Sequence, residues 1–172
     1  MISKKMQDAM NEQVKAEFYS AYLYLSMSAY LESIDLPGLA NWMRVQYQEE
    51  VTHAEKIYDH VIERDGRAIV KSWDSPLTDW ESPLDLFEAA YKHEQLVTSL
   101  INKLVDTAIA EHDHASQIFL QWFVNEQVEE EASVKAVIQQ FKLLGDSRAG
   151  LFQIDRELGQ RVFTPPAATQ GA

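Results

Sequence analysis

The chain contains no cysteine, which excludes disulfides, thiolate metal sites and cysteine nucleophiles and leaves nothing that argues for an oxidising compartment. Basic residues are also scarce. Fifteen Lys and Arg stand against 27 Asp and Glu, and the formal charge of -12 repels nucleic acid and anionic membrane while attracting cations. No segment approaches the roughly 20 consecutive apolar residues of a membrane span. The first residues, Met1 to Asp8, carry charge where a secretory leader needs an apolar run, so a cytoplasmic location is expected. Nucleic acid and membrane are therefore not expected as partners.

Glycine and proline are few, six and five, and they cut the 172 residues into long stretches with helical apolar spacing. The fold class expected is all-α. A first helix should run from about Lys4 to Ser33, and a second should open at Pro37 and continue to about Asp65, before Gly66. Ser82, Pro83 and Asp85 form a start signal for a third helix lasting to about Glu111. A fourth should fill His114 to Leu144 and stop at Gly145. Asp146 and Ser147 can cap a short fifth helix, Arg148 to Gln160, so that this element occupies 146–160 and 161–172 is a loose tail. The whole chain, 1–172, is expected to form one domain around a bundle at 4–144.

Short links between the first two helices and between the third and fourth force antiparallel neighbours. The second link, Gly66 to Ser82, has 17 residues. At roughly 3.3 Å each these reach about 56 Å, more than the roughly 45 Å of a 30-residue helix. A full crossover that leaves the second and third helices parallel gives this long connection its reason.

Each long helix carries an apolar stripe that is interrupted near its middle by groups able to bind metal. The stripes read Met10, Val14, Glu17, Ala21, Tyr24, Leu31; Leu39, Met43, Glu50, His53, Ile57, Val61; Leu84, Phe87, Tyr91, Glu94, Val97, Ile101, Val105; and Leu120, Phe123, Gln127, Glu130, Val134, Val137, Phe141. Midpoints of packed helices of similar length lie at one level, so Glu17, Glu50, His53, Glu94 and Glu130 should converge. Unpaired carboxylates cost many kcal/mol in an apolar core, whereas divalent cations balance their charge and use their lone pairs. Glu50 and His53, three apart on one face, can ligate together, and a site of hard oxygens with one imidazole suits iron or manganese. His60, His93, His112 and His114 are expected at surfaces or turns, with Asp113-His114 a candidate pore lining, and Glu131 is expected to be solvated.

Glu17 with Tyr24, the run Gln48-Glu49-Glu50-Val51-Thr52-His53-Ala54-Glu55, Glu94, and the run Trp122-Phe123-Val124-Asn125-Glu126-Gln127-Val128-Glu129-Glu130 resemble the ferritins, and more narrowly the bacterial ferritins without haem. Inward-facing carboxylates on four helices are a known property of ferritin-like bundles. The resemblance covers nearly the whole chain and implies a ferritin-like four-helix bundle with a short fifth helix. It implies iron storage with oxidation of Fe(II) by O2 or H2O2 at an intrasubunit diiron centre, in a homo-oligomeric shell of 24 subunits. By the same resemblance Glu17, Glu50 and His53 hold one iron, Glu50, Glu94 and Glu130 hold the second, Gln127 stands close by, and Glu49, Glu126 and Glu129 form an additional site. Tyr24 is implied as an electron or hydrogen-bond donor, with Trp122 a weaker candidate.

Two departures from related families matter. Bacterioferritins and many diiron enzymes carry a second Glu-x-x-His on the fourth helix, where this chain has Gln127 and Glu130. The haem-binding methionine of bacterioferritins would fall where this chain has Thr52, so no haem and no other bound organic cofactor is expected. A diiron peroxidase or oxidase without storage is the rival within enzymes, and Leu151, Phe152, Ile154 and Leu158 on the fifth helix are expected to pack against other subunits, in favour of a cage. A DNA-protecting mini-ferritin is opposed by the charge, and a purely structural bundle leaves the buried acids unexplained.

Overall fold

The computed structural model describes residues 1–165. Five helices are formed: α1 (Lys4–Ser33), α2 (Pro37–Glu63), α3 (Pro83–Ala110), α4 (His114–Leu144) and α5 (Arg148–Leu158). The expected boundaries hold within two residues, and the end of the expected tail, 166–172, lies outside the described residues.

The helix starts have local causes. Ser3, Ser82, Asp113 and Ser147 each accept a hydrogen bond from a backbone N–H three residues on, and Pro83 occupies a first-turn position of α3. The stops of α1, α2 and α3 share one device. Asp35, Asp65 and His112 take positive φ, at 61°, 57° and 52°. The next residue's N–H then reaches back to the carbonyl of Leu31, Val61 or Ala108, at 3.1, 2.9 and 2.8 Å. The left-handed residue that ends α2 is thus Asp65, not Gly66.

Direction follows from the contacts. Tyr30 bonds to Trp80, Tyr24 to Glu94 and Lys5 to Glu111, so α1 and α3 run antiparallel. Gln46 bonds to Glu130 and His60 to Ser116, which makes α2 and α4 antiparallel as well. The connection from α2 to α3 lies along α1, from Asn11, which bonds the backbone of Arg67 and Ile69, to Ser26, which donates to the carbonyl of Leu77. It traverses the bundle end to end and leaves α2 and α3 parallel, the crossover that the link length allows.

The core is in two parts. One apolar cluster contains Tyr24, Met27, Leu31, Met43, Phe87, Val134 and Phe141; the other contains Met6, Met10, Val14, Ile57, Val61, Ile101, Leu120 and Phe123. The polar mid-helix residues lie between them.

The α5 helix departs from expectation. Ile154 is buried in the first cluster and Leu151 and Leu158 pack against it, so three of the four residues expected to meet other subunits are covered by their own chain. Phe152 stays 64% exposed. The reason lies at the start of α2, whose N-cap Leu36 has no side chain able to accept a hydrogen bond. Asp155 of α5 supplies the acceptor from outside, its Oδ1 taking the N–H groups of Gly38 and Leu39 at 2.8 and 2.9 Å. Gly38 is required there, since a Cβ would lie 1.7 Å from the Asp155 carbonyl oxygen.

Replacing Asp155 with Ala strands two buried N–H groups and should destabilise the subunit by about 1–2 kcal/mol. Asp155→Asn, which keeps an acceptor, should recover most of that. Calorimetric Tm values that do not separate the two variants would refute the capping role.

Candidate metal centre

The four long helices bring Glu17, Glu50, His53, Glu94, Gln127 and Glu130 into the layer between the two apolar clusters, each with 4% or less of its surface exposed. Each carboxylate that accepts a hydrogen bond here takes it from a neutral donor. Gln13 Nε2 donates to Glu17 Oε1 at 2.8 Å, Gln46 Nε2 to Glu130 Oε2 at 2.8 Å, and Gln127 Nε2 to Glu94 Oε2 at 3.0 Å. The Tyr24 hydroxyl donates to Glu94 Oε1. Two carboxylate oxygens, Glu17 Oε2 and Glu50 Oε2, are buried with no hydrogen-bond partner. His53 Nδ1 lies 3.5 Å from the second of these, too far for a normal hydrogen bond.

Burial sets the protonation. It raises Glu17 to about 7 and, reinforced by the charge of Glu94, raises Glu130 to about 8. Glu50 is pushed well above the carboxylate range, first by burial and then by Glu94, Glu17 and Glu130. Glu94 is raised by burial and held back by its bonds from Tyr24 and Gln127. Burial and the nearby Lys56 bring His53 down to about 4, which keeps the imidazole neutral and its lone pair free for a metal at neutral pH.

Donor atoms of Glu17, Glu50 and His53 lie within 4.8 Å of one another, and those of His53, Glu126 and Glu130 do likewise. The first group is the expected first ligand set. The expected second set, Glu50, Glu94 and Glu130, is not gathered to this spacing, because Glu94 is turned to Tyr24 and Gln127. The expected additional set is split also: Glu126 falls in with His53 and Glu130, Glu129 is exposed, and Glu49 is paired with Arg161 at 2.7 Å. Trp122 meets the His53 ring edge-on at 5.3 Å between centroids and carries the Lys56 ammonium on its own face at 4.7 Å.

The geometry, a carboxylate and imidazole layer at the waist of a crossover four-helix bundle, agrees with what the chain is similar to. Residues 7–144 match the profile of the ferritin-like domain. The chain belongs to the ferritins. It is 49% identical over 161 residues to the bacterial non-haem ferritin of Bacteroides fragilis, an alignment that covers 94% of this chain and 100% of that one. The corresponding Escherichia coli protein is 38% identical, with coverage of 92% and 96%. Among solved structures, an engineered closed form of the Archaeoglobus fulgidus ferritin superposes with a TM-score of 0.94 at 51% identity, covering 95% of this chain and all of that one. The open-pore ferritin of the same archaeon gives 0.93 at 49%, covering 94% and 100%.

Several residues differ from their sequence reading. His60 is buried, its ring stacked on Phe119 at 3.9 Å and its Nε2 3.1 Å from Ser116 Oγ, so it is not a surface residue. His93 is half-buried, with Nε2 2.8 Å from Ser20 Oγ. His112 is exposed in the turn before α4 and His114 is exposed as the first residue of α4, as expected. Asp113 caps α4 and pairs with Arg64 at 3.0 Å. Glu131 is not simply solvated, since it accepts a bond from Thr98 at 2.6 Å. Gln13 and Gln46 join the site without a motif of their own, and their one signal is that each lies four residues before a ligand candidate on the same helix, the spacing at which side chains share a face.

The raised carboxylates fix the pH response of the metal-free protein. A carboxyl whose folded pKa exceeds its unfolded value stabilises the fold below the unfolded value, and that contribution is lost as pH rises through the folded one. The buried histidines act in the opposite sense below about pH 6.5, where the unfolded imidazole protonates. Above that only the acids act. Metal-free protein should lose stability from pH 6.5 to 8.5, at up to about 1.4 kcal/mol per pH unit for each titrating carboxyl. A redox-inert divalent cation should flatten the decline. Scanning calorimetry at three pH values checks both, and a rising Tm in metal-free buffer would contradict the assignment.

Proposed function

We propose that this ferritin oxidises Fe(II) to Fe(III) at the buried centre and stores the ferric product inside a closed shell of its own subunits. The observation that carries the reading is the convergence of donor atoms of Glu17, Glu50 and a neutral His53 within 4.8 Å in a buried layer, where Glu17 Oε2 and Glu50 Oε2 have no donor beyond each other's carboxyl proton. Such atoms are costly in an apolar layer unless a cation uses their lone pairs. Iron is substrate and cargo here. Fe(II) enters as the carboxyl protons leave, which makes uptake proton-coupled.

In this reading Glu17, Glu50 and His53 take one ferrous ion. Glu50, Glu94 and Glu130 take the second, with Glu50 shared and Gln127 close by. Each ion gives up one electron, and the pair of electrons reduces O2 or H2O2. Forming the second set requires Glu94 to turn from its metal-free position, so Tyr24 and Gln127 are the residues that guide that turn. The neutral Tyr24 hydroxyl, its pKa raised well above the usual value by burial and by three acids, is placed to donate a hydrogen bond to a bound oxidant. Glu126 and Glu130, with His53, and then Glu49 and Glu129, form the outward route toward storage.

Assembly needs exposed apolar surface, and Phe152 of α5 and Leu143 of α4 provide it, at 64% and 88% exposure. A homo-oligomer of 24 subunits is the shell we infer, with cytoplasm as its place and neither nucleic acid nor membrane as partner. None of the five helices is long and apolar enough to cross a membrane.

Substituting Glu50 with Ala should slow aerobic Fe(II) oxidation at least on the order of 10–100-fold, the loss that even outer-shell metal partners cause. Stopped-flow absorbance measures it, and an unchanged rate sinks the centre. Phe152→Glu should shift the protein from a cage to small oligomers on a sizing column. Retention of far more than two or three irons per subunit separates storage from simple turnover.

A further inference from the structure

Arg161 follows α5 and reaches back over the N-terminal half of α2. Its Nη2 pairs with Glu49 Oε2 at 2.7 Å, and its guanidinium lies over the Trp42 ring at 4.5 Å. The backbone beneath it is clamped, because Asn41 Nδ2 donates to the carbonyls of Arg161 and Gly159 at 2.9 and 3.3 Å. Nη1 is buried and has no hydrogen-bond partner, so the head is held by Glu49 and the indole face and not by a full set of acceptors.

The pair has a geometric consequence. While Glu49 faces Arg161, it remains outside the cluster that His53, Glu126 and Glu130 form within 4.8 Å. A fixed guanidinium and a mobile divalent cation then compete for one carboxylate. This rests on the outer acidic cluster being a metal position, as proposed above.

We propose that Arg161 is a tethered counter-ion that occupies Glu49 when the outer position is empty, and that a divalent cation must displace its side chain to recruit Glu49. Filling the outer position is thereby an ion exchange within the subunit. The arginine lowers the affinity of that position relative to the inner ones and favours onward transfer of the ion. Asn41 and Asp155 keep the backbone of the segment in place, so only the side chain swings.

The test uses the intact assembled protein and Zn2+, which binds without redox chemistry. Isothermal titration of wild type, Arg161→Gln, Glu49→Gln and the double variant at neutral pH, together with Glu50→Ala to mark the inner equivalents, resolves the weak outer equivalent. Arg161→Gln should tighten it about fivefold, the effect of losing one partly exposed ion pair, and should leave the inner equivalents unchanged. In the Glu49→Gln background the same substitution should do nothing, because no pair remains to break. Zinc-soaked crystals should show Glu49 turned to the metal and Arg161 more than 4 Å from it. Weaker outer binding in Arg161→Gln overturns the proposal by making the arginine a support for Glu49. So does an equal gain in both backgrounds, which would be a general charge effect. An outer equivalent missing from wild type and Arg161→Gln alike, with the inner equivalents still lost in Glu50→Ala, overturns the proposal through the outer-site reading on which it rests.

Discussion

The constraint on which this subunit depends is the placement of four carboxyl groups where water does not reach. Glu17, Glu50, Glu94 and Glu130 come from four different helices and face one layer of a core that is otherwise apolar above and below. Without a cation, burial forces these groups toward protonation. With a cation, the same groups bind as anions and the protons leave. The layer is therefore a store of binding capacity that hydrophobic packing on either side keeps open.

The rest of the chain serves that placement. The long crossover from α2 to α3 sets the helix directions, and with them which side chains meet above and below mid-height. The α5 helix has a part in this through Asp155, which completes the start of α2. The start of α2, Pro37, is 13 residues from Glu50, and fraying there would reach Glu50 and His53 through the helix that carries both.

What the sequence made legible follows from periodicity and what it hid follows from geometry. Apolar stripes with polar interruptions located the helices and the buried acids, because helical spacing and burial are both written in residue type. The partners of those acids were less visible. Gln13 and Gln46 are ordinary helix residues, and only the distances show that they hold Glu17 and Glu130. The burial of His60 depends on Phe119 and Ser116, 59 and 56 residues away, a juxtaposition that no local pattern encodes. The docking of α5 on its own subunit was hidden for the same reason, since an amphipathic helix reads alike whether it covers its own chain or a neighbour. Roles for Glu49, Glu126 and Glu129 rest on resemblance alone, and the pairing of Glu49 with Arg161, 112 residues apart, is encoded by no local pattern.

The choice of partners carries its own logic. Gln13, Gln46, Gln127 and Tyr24 are neutral, so they fix carboxyl oxygens in place without adding a positive charge that a metal ion would have to displace. A lysine or arginine at those positions would stabilise the metal-free bundle more strongly, and by the same amount would oppose metal entry, since the ion would have to replace a full charge. Among the described residues no ion pair with a lysine or arginine involves the four inner acids, whereas the outer Glu49 is held by a guanidinium. In the proposed function the inner layer is thus suited to fill and the outer position to yield. On the reading proposed above, a gradient of affinity directed from the centre outward would follow from which carboxylates are given neutral donors and which is given a charge.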